Sequence, residues 1–356
     1  MSEAPSPRLG ARFLMVGAAA VVVLAGLKAA QSLVIPFLLA LFLAIICAPA
    51  VAWLTSRRIP VGLAVLAVVI VLLAAFSGFG AIVGGSVNEF TAFAAQNQAR
   101  FDGLVKSAST WLEARNIDPA SLDLLNMLQP GKLINLLGGV LKNLAGVLSN
   151  FFLILLTMIF MLLEAASFPV KVKAAVGKGR FDIDNIRHAV LQVQRYLGLK
   201  TVTSLATGLC VGLWTAILGL DFAVVWGLLA FLLNYVPNIG SIVAAVPAIL
   251  LGLVQGGLGY AILIGVGYVV TNIGVGTFVE PWLMGRTLGL STLVVFLSLV
   301  FWGWMWGGVG MLLSVPLTMI MKILFENTDD LQWIAVMLDN RRGAEKRMEE
   351  SATATS

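Results

Sequence analysis

The chain has 356 residues, 59% hydrophobic and 12% charged, with mean hydropathy +0.97 and formal net charge +5. Soluble domains carry about a quarter charged residues, so this composition excludes an ordinary water-soluble enzyme and indicates a multi-pass helical membrane protein. The positive excess points to cytoplasmic loops and lipid headgroups rather than nucleic acid, because no arginine–aromatic patch is present.

Residues 1–12 are polar and carry Arg8 and Arg12 ahead of the first apolar run, which reads as a cytoplasmic N-terminus. Residues 13–85 hold three expected transmembrane helices. Residues 13–27 and 33–54 read as an uncleaved hairpin of two spans turning at Lys28–Ser32, closed by Arg57 and Arg58, and a third span covers about 61–84. Residues 86–145 have balanced charge and two amphipathic stripes. Phe101, Leu104, Val105, Ala108, Trp111 and Leu112 form one; Leu133, Leu136, Leu137, Val140, Leu141 and Leu144 form the other. This stretch is expected to be an extracytoplasmic helical arm, packed on itself, on the bilayer surface or on a neighbouring subunit. Residues 146–167 return inward as a fourth span.

Residues 168–200 carry seven basic residues, Lys171, Lys173, Lys178, Arg180, Arg187, Arg195 and Lys200, against Asp182 and Asp184. They read as a basic cytoplasmic connector. From Thr201 to Phe325 the only charged residues are Asp221, Glu280, Arg286 and Lys322, so 201–325 is the expected transport core. It contains two over-long apolar segments. Residues 222–254 are broken by Asn234, Pro237, Asn238 and Gly240, and residues 288–325 by Gly303, Gly307, Gly308, Gly310 and Pro316. About 20 residues cross the hydrocarbon, so each segment is too long for one span and short for two.

Either each segment crosses once, kinked, with Arg286 outside, or each is a re-entrant hairpin with Arg286 inside. Length, central breaks and the positive-inside rule favour hairpins entering from opposite faces. A short echo, Gly240-SIVAAVP-247 against Gly310-MLLSVP-316, fits a paired arrangement. Residues 326–356 form a cytoplasmic tail, amphipathic at first and then charged.

Catalytic signatures are missing: one histidine (His188), no Gly-x-Ser-x-Gly, no metal-ligand spacing and no phosphate-binding glycine loop. No cofactor is expected. Cys47 and Cys210 read as packing residues. The candidate solute pathway comprises Asn234, Pro237, Asn238, Gly240, Pro247, Asn272, Gly307, Gly310 and Pro316. Amides both donate and accept hydrogen bonds, and broken helices add backbone dipoles; the same amides also serve as interhelical packing groups. Glu280, Arg286 and Asp221 are candidates for ion or proton coupling. Each has a structural alternative: a Glu280–Arg286 salt bridge fixing the loop, or helix capping by Asp221 in the turn LGLDF. Trp302, Trp304 and Trp306, with Phe301, either anchor at the interface or line a hairpin tip.

The motifs NYVPNIG (234–240), EPWLMGR (280–286) and WMWGGVGMLLSVP (304–316) strongly resemble the autoinducer-2 exporter family of bacterial permeases, and the resemblance covers almost the whole chain. It implies a bacterial inner-membrane protein, and the basic residues at both ends read as cytoplasmic termini. It also implies a homo-oligomer, with a pentamer as the candidate number. Members are associated with efflux of a small furanosyl-type signalling molecule, others with sodium/proton exchange. The leading expectation is therefore a secondary transporter exporting a small polar solute. A sodium/proton antiporter and an oligomeric membrane scaffold or pore are the alternatives, with a membrane enzyme the least supported.

Overall fold

The computed structural model describes residues 9–115, 150–165, 171, 183–237, 239–284, 290–326, 328 and 331–339. The described chain is all-α, with one isolated bridge between Leu290 and Asp339. A backbone in hydrocarbon must satisfy its own polar groups, and helices do so within one segment. The order is α1 (Leu9–Ala29), α2 (Gln31–Ser56), α3 (Val61–Gln96), α4 (Gln98–Glu113), α5 (Phe151–Glu164), α6 (Ile183–Leu218), α7 (Ala223–Leu233) and α8 (Ile239–Asn272). A π-helix (Ile273–Val279), α9 (Glu280–Met284), α10 (Thr292–Glu326) and α11 (Gln332–Leu338) follow. Five stretches within these helices, 31–56, 61–86, 190–218, 239–279 and 292–326, are long and apolar enough to cross a membrane. Their outward faces carry large apolar side chains such as Ile217 (78% exposed) and Phe278 (68%), which suits lipid and not water.

The N-terminal part differs from expectation. Ala30 joins α1 to α2 with near-helical dihedrals (φ −86°, ψ 14°). Hydrogen bonds run through it, from Ala30 N–H to the Gly26 carbonyl (2.9 Å) and from Val34 N–H to the Ala30 carbonyl (3.0 Å). One such residue bends a helix but does not fold the chain back, so the two-span hairpin expected at Lys28–Ser32 is a bend instead. The expected arm also has no separate start at residue 86, because α3 continues to Gln96 before α4 begins. The whole second arm stripe lies outside the described residues. Ala40, Ala44 and Cys47 of α2, Val65 and Val69 of α3 and Met158 of α5 pack into one buried cluster.

The core is built along α6. Its partner on one side is the second half of α8. Tyr260 hydroxyl donates to the Leu218 carbonyl (2.8 Å) and Trp214 Nε1 to the Leu263 carbonyl (3.2 Å). On the other side α7 packs so closely that a Cβ on Gly208 would meet the Gly227 carbonyl oxygen at 2.7 Å, and one on Gly227 the Gly208 carbonyl at 2.7 Å. Small residues permit such backbone approach between membrane helices. Gly208→Val or Gly227→Val is therefore expected to pry α6 from α7. The cost is about 1–3 kcal/mol or more, the usual range for overpacking, read as a lower melting temperature of the purified protein. Wild-type melting in both variants would refute the close-packed seam.

Both over-long segments reverse direction. In the first, α7 leads into a break at 234–237 and residues 239–256 return alongside it. Trp226, Leu229 and Ala230 share a buried cluster with Ala244, Ala248 and Leu251. At the base, Asp221 and Gln255 hydrogen-bond side by side. Gly257 (φ 74°) then reverses the chain again, and Ile264 lies over Gly252. In the second, α10 is interrupted at Trp306 (φ −132°, ψ 20°) and Gly307 (φ 62°, ψ −142°). Trp302 Nε1 donates to Thr318 Oγ1 across the two legs (3.1 Å). Asp339 ties the base: its backbone bridges to Leu290, and its carboxylate accepts from Lys322 Nζ at 3.1 Å. The tail thus docks through α11 onto the second hairpin before leaving the described residues.

Candidate functional site

The tip of the first hairpin is built from a sequence that cannot continue a helix. Proline lacks a donor, and the chain tightens through short bonds from Val236 N–H to the Leu233 carbonyl (2.9 Å) and from Ile239 N–H to the Pro237 carbonyl (2.6 Å). Gly240 closes the turn. A Cβ there would lie 1.7 Å from the Leu233 carbonyl oxygen, so no side chain fits. The second tip has the same device, since a Cβ on Gly310 would lie 1.9 Å from the Trp302 carbonyl oxygen. Pro247 and Pro316 are buried in the returning legs, where each removes the helical donor to the carbonyl four residues back. The echo between the two glycine–proline stretches is thus a shared turn construction.

Side-chain hydrogen bonds hold the first tip against α6. Asn234 Nδ2 donates to Ser204 Oγ (3.0 Å), and Tyr235 hydroxyl donates to Thr201 Oγ1 (2.8 Å). On the returning leg, Ser241 Oγ donates to Asn272 Oδ1 (2.9 Å). Asn234, Ser204, Thr203 and Thr207 are buried. Lys200, Thr203, Ser204 and Thr207 make a polar stripe on α6 at helical spacing, facing a hairpin that is otherwise apolar.

Glu280 belongs to the same region, and its partner among the described residues is distant in sequence. Lys200 Nζ donates to both carboxylate oxygens, at 2.8 and 3.0 Å. Lys200 was expected to end a cytoplasmic connector. Instead α6 runs unbroken from Ile183, the apolar stretch begins at Val190, and Lys200 is 4% exposed. Arg286 and Asn238 lie outside the described residues. A π-helix fills the interval between Asn272 and Glu280. Such wide turns are rare and often accompany functional sites.

Asp221 is elsewhere. Lys200 and Leu218 are 18 positions apart on α6, about 27 Å by helical rise, and Asp221 lies just beyond Leu218. The residue capping α7 is Phe222 (φ 63°), with no side-chain cap bond, so the capping expected of Asp221 is replaced by its pairing with Gln255. Gly307, Gly310 and Pro316 form the separate second tip. There Trp302 stacks on Trp306 (5.0 Å), Trp306 Nε1 donates to the Leu27 carbonyl (3.5 Å), and Lys28 Nζ lies 3.8 Å from the Trp304 ring centroid. The tip therefore rests on the α1–α2 bend. Successive turns of α6 serve the two hairpins. Val193, Tyr196 and Leu197 share a buried cluster with Leu290 and Trp302, and Thr201 and Ser204 meet the first tip.

Lys200, Thr201, Ser204, Tyr235 and Ser241 join the site without having been singled out in the sequence. The available signal was the polar spacing 200, 203/204, 207 inside an apolar helix. Among the described residues, no group of three His, Cys, Asp or Glu gathers as a metal site requires.

Paired broken helices around a polar midsection are a transporter's construction, and comparison with known proteins agrees. The AI-2E family transporter profile matches residues 18–330. The chain belongs to the AI-2E transporter family. It is 42% identical to the AI-2 transport protein TqsA of Escherichia coli over 320 residues, covering 90% of this chain and 93% of that protein. A Haemophilus influenzae protein named as a candidate transport protein is 40% identical over 334 residues, covering 92% and 96%. This AI-2E family member is accordingly a multi-pass membrane transporter, with a small-molecule substrate and a lipid environment.

Proposed function

We propose that this chain exports a small polar solute as a secondary transporter, with the autoinducer-2 class of furanosyl signalling molecule as cargo and the two hairpins as gates. The carrying observation is that the first tip is held to α6 by side-chain hydrogen bonds, Asn234–Ser204 and Tyr235–Thr201, with Ser241–Asn272 tying its returning leg to the end of α8. Bonds of this kind exchange with a hydroxylated solute at little net cost, whereas a greasy seal does not. The name of the TqsA relative supplies the cargo class. The inner membrane is the location, and the first hairpin enters from outside and the second from inside. The tail after α11 is cytoplasmic, and the chains assemble as homo-oligomers with a pentamer as candidate number.

The test is autoinducer-2 flux in proteoliposomes. Asn234→Leu removes the bond to Ser204 and is expected to cut flux at least tenfold while the protein still folds. Normal flux in that variant sinks the gate reading. A cysteine at position 286, in a background without Cys47 and Cys210, is expected to resist impermeant thiol reagents applied from outside. Outside labelling sinks the proposed topology.

A further inference from the structure

Lys200 occupies the place that a coupling cation at Glu280 would need. Its ammonium donates to both oxygens of the carboxylate, and the lysine side chain is 5% exposed and that of the glutamate 22%. Within the described part of 201–326, the other charged side chains are Asp221, at the far base of the first hairpin, and Lys322 and Glu326, near the base of the second. Among the described residues, the polar groups beside Lys200 on α6 are neutral: the Thr201 hydroxyl, which accepts from Tyr235, and the Tyr196 ring one turn back. A hard cation binds oxygen, and an anionic oxygen is the ligand that compensates its lost hydration. Here both anionic oxygens already face a cation that is covalently tethered to α6.

We propose that Lys200 is a built-in counter-cation that fills the Glu280 cation position, so that this chain neither binds sodium there nor depends on sodium for transport. The binding claim rests on the ion pair alone, and its consequence for flux rests on the transport reading above. The ammonium cannot diffuse away, and its withdrawal would strand a carboxylate in a poorly solvated region. Sodium at ordinary concentrations therefore does not compete. The position still has the chemistry of a cation site, and removing the lysine head group uncovers it.

The experiment uses the purified full chain in detergent, with radioactive sodium in equilibrium dialysis and melting curves in sodium chloride against choline chloride. Wild type is expected to show no saturable sodium binding and the same melting temperature in both salts. Lys200→Ala is expected to gain saturable binding and to melt higher in sodium than in choline, and the double variant Lys200→Ala/Glu280→Gln is expected to lose both effects. Lys200→Arg, which keeps the cation, is expected to behave as wild type. Saturable wild-type binding that Glu280→Gln abolishes overturns the proposal, as does a folded Lys200→Ala that gains nothing. If Lys200→Ala does not fold, the wild-type and Glu280→Gln comparison decides alone: no saturable wild-type binding supports the proposal. In proteoliposomes, solute flux is expected to be equal in the two salts. Absence of any flux sinks the transport reading and leaves the sodium-binding result standing.

Discussion

Gly240→Ala is expected to abolish solute flux, and Gly310→Ala to do the same from the other hairpin. The added methyl would sit 1.7 Å from the Leu233 carbonyl oxygen in the first case and 1.9 Å from the Trp302 carbonyl oxygen in the second. Both obstacles are backbone, so no rotamer change relieves them, and the tip has to open. Overpacking costs about 1–3 kcal/mol, occasionally more, and contacts of this shortness belong at the upper end. Opening the first tip also pulls Asn234 and Tyr235 from Ser204 and Thr201, so the polar seam fails with it. Gly257→Ala is the contrast. Nothing lies within 4 Å of its Cβ, and the cost is only that of a positive φ of 74°, so it is expected to be milder. Flux and melting temperature should rank the three variants in that order, with Gly257→Ala nearest wild type. Full flux in both tip variants would show that neither tip is shaped as described.

Lys200→Met is expected to be the most destabilising single change among the charged residues. It leaves Glu280, 22% exposed, beside the hairpin with no counter-charge, and the loss is expected below the about 3–5 kcal/mol of breaking a fully buried pair, because water reaches part of the carboxylate. The double variant Lys200→Met/Glu280→Gln removes both charges together and is expected to recover most of the loss, since neutral replacement of a buried pair is often tolerated. Melting temperatures of the two single variants and the double variant give the coupling directly. Additive losses would mean that the two residues do not depend on each other. A one-sided result, with Glu280→Gln harmless, would show that Lys200 finds another acceptor.

These expectations differ in how far they were readable from the chain. Pro237, Gly240, Gly310 and Pro316 were legible because proline and glycine act locally: a missing donor or a missing Cβ breaks a helix wherever it stands. The partner of Glu280 was not legible. Arg286 was six residues away and Lys200 eighty, and only the antiparallel packing of α6 against the second half of α8 and the π-helix brings Lys200 to the carboxylate. The basic run before Lys200 made it look like part of a loop, because charge density along the sequence does not record where a helix begins. The α1–α2 junction failed for a related reason. Hydropathy marks a polar interruption at Lys28, but the backbone there keeps its helical bonds and bends.

The sequence by itself therefore determined the class of the protein, the two broken segments and its family. The class and the breaks follow from composition, period and local backbone constraints, and the family from the resemblance of its motifs. Tertiary structure decided that both segments fold back as helix pairs. It also set the first tip on the polar stripe of α6 and neutralised Glu280 with an internal ammonium. Those are long-range pairings, and the reason is physical. In a chain that is apolar almost everywhere, burial favours many helix arrangements nearly equally. Close glycine seams and a few side-chain hydrogen bonds, met only once the helices are side by side, select one.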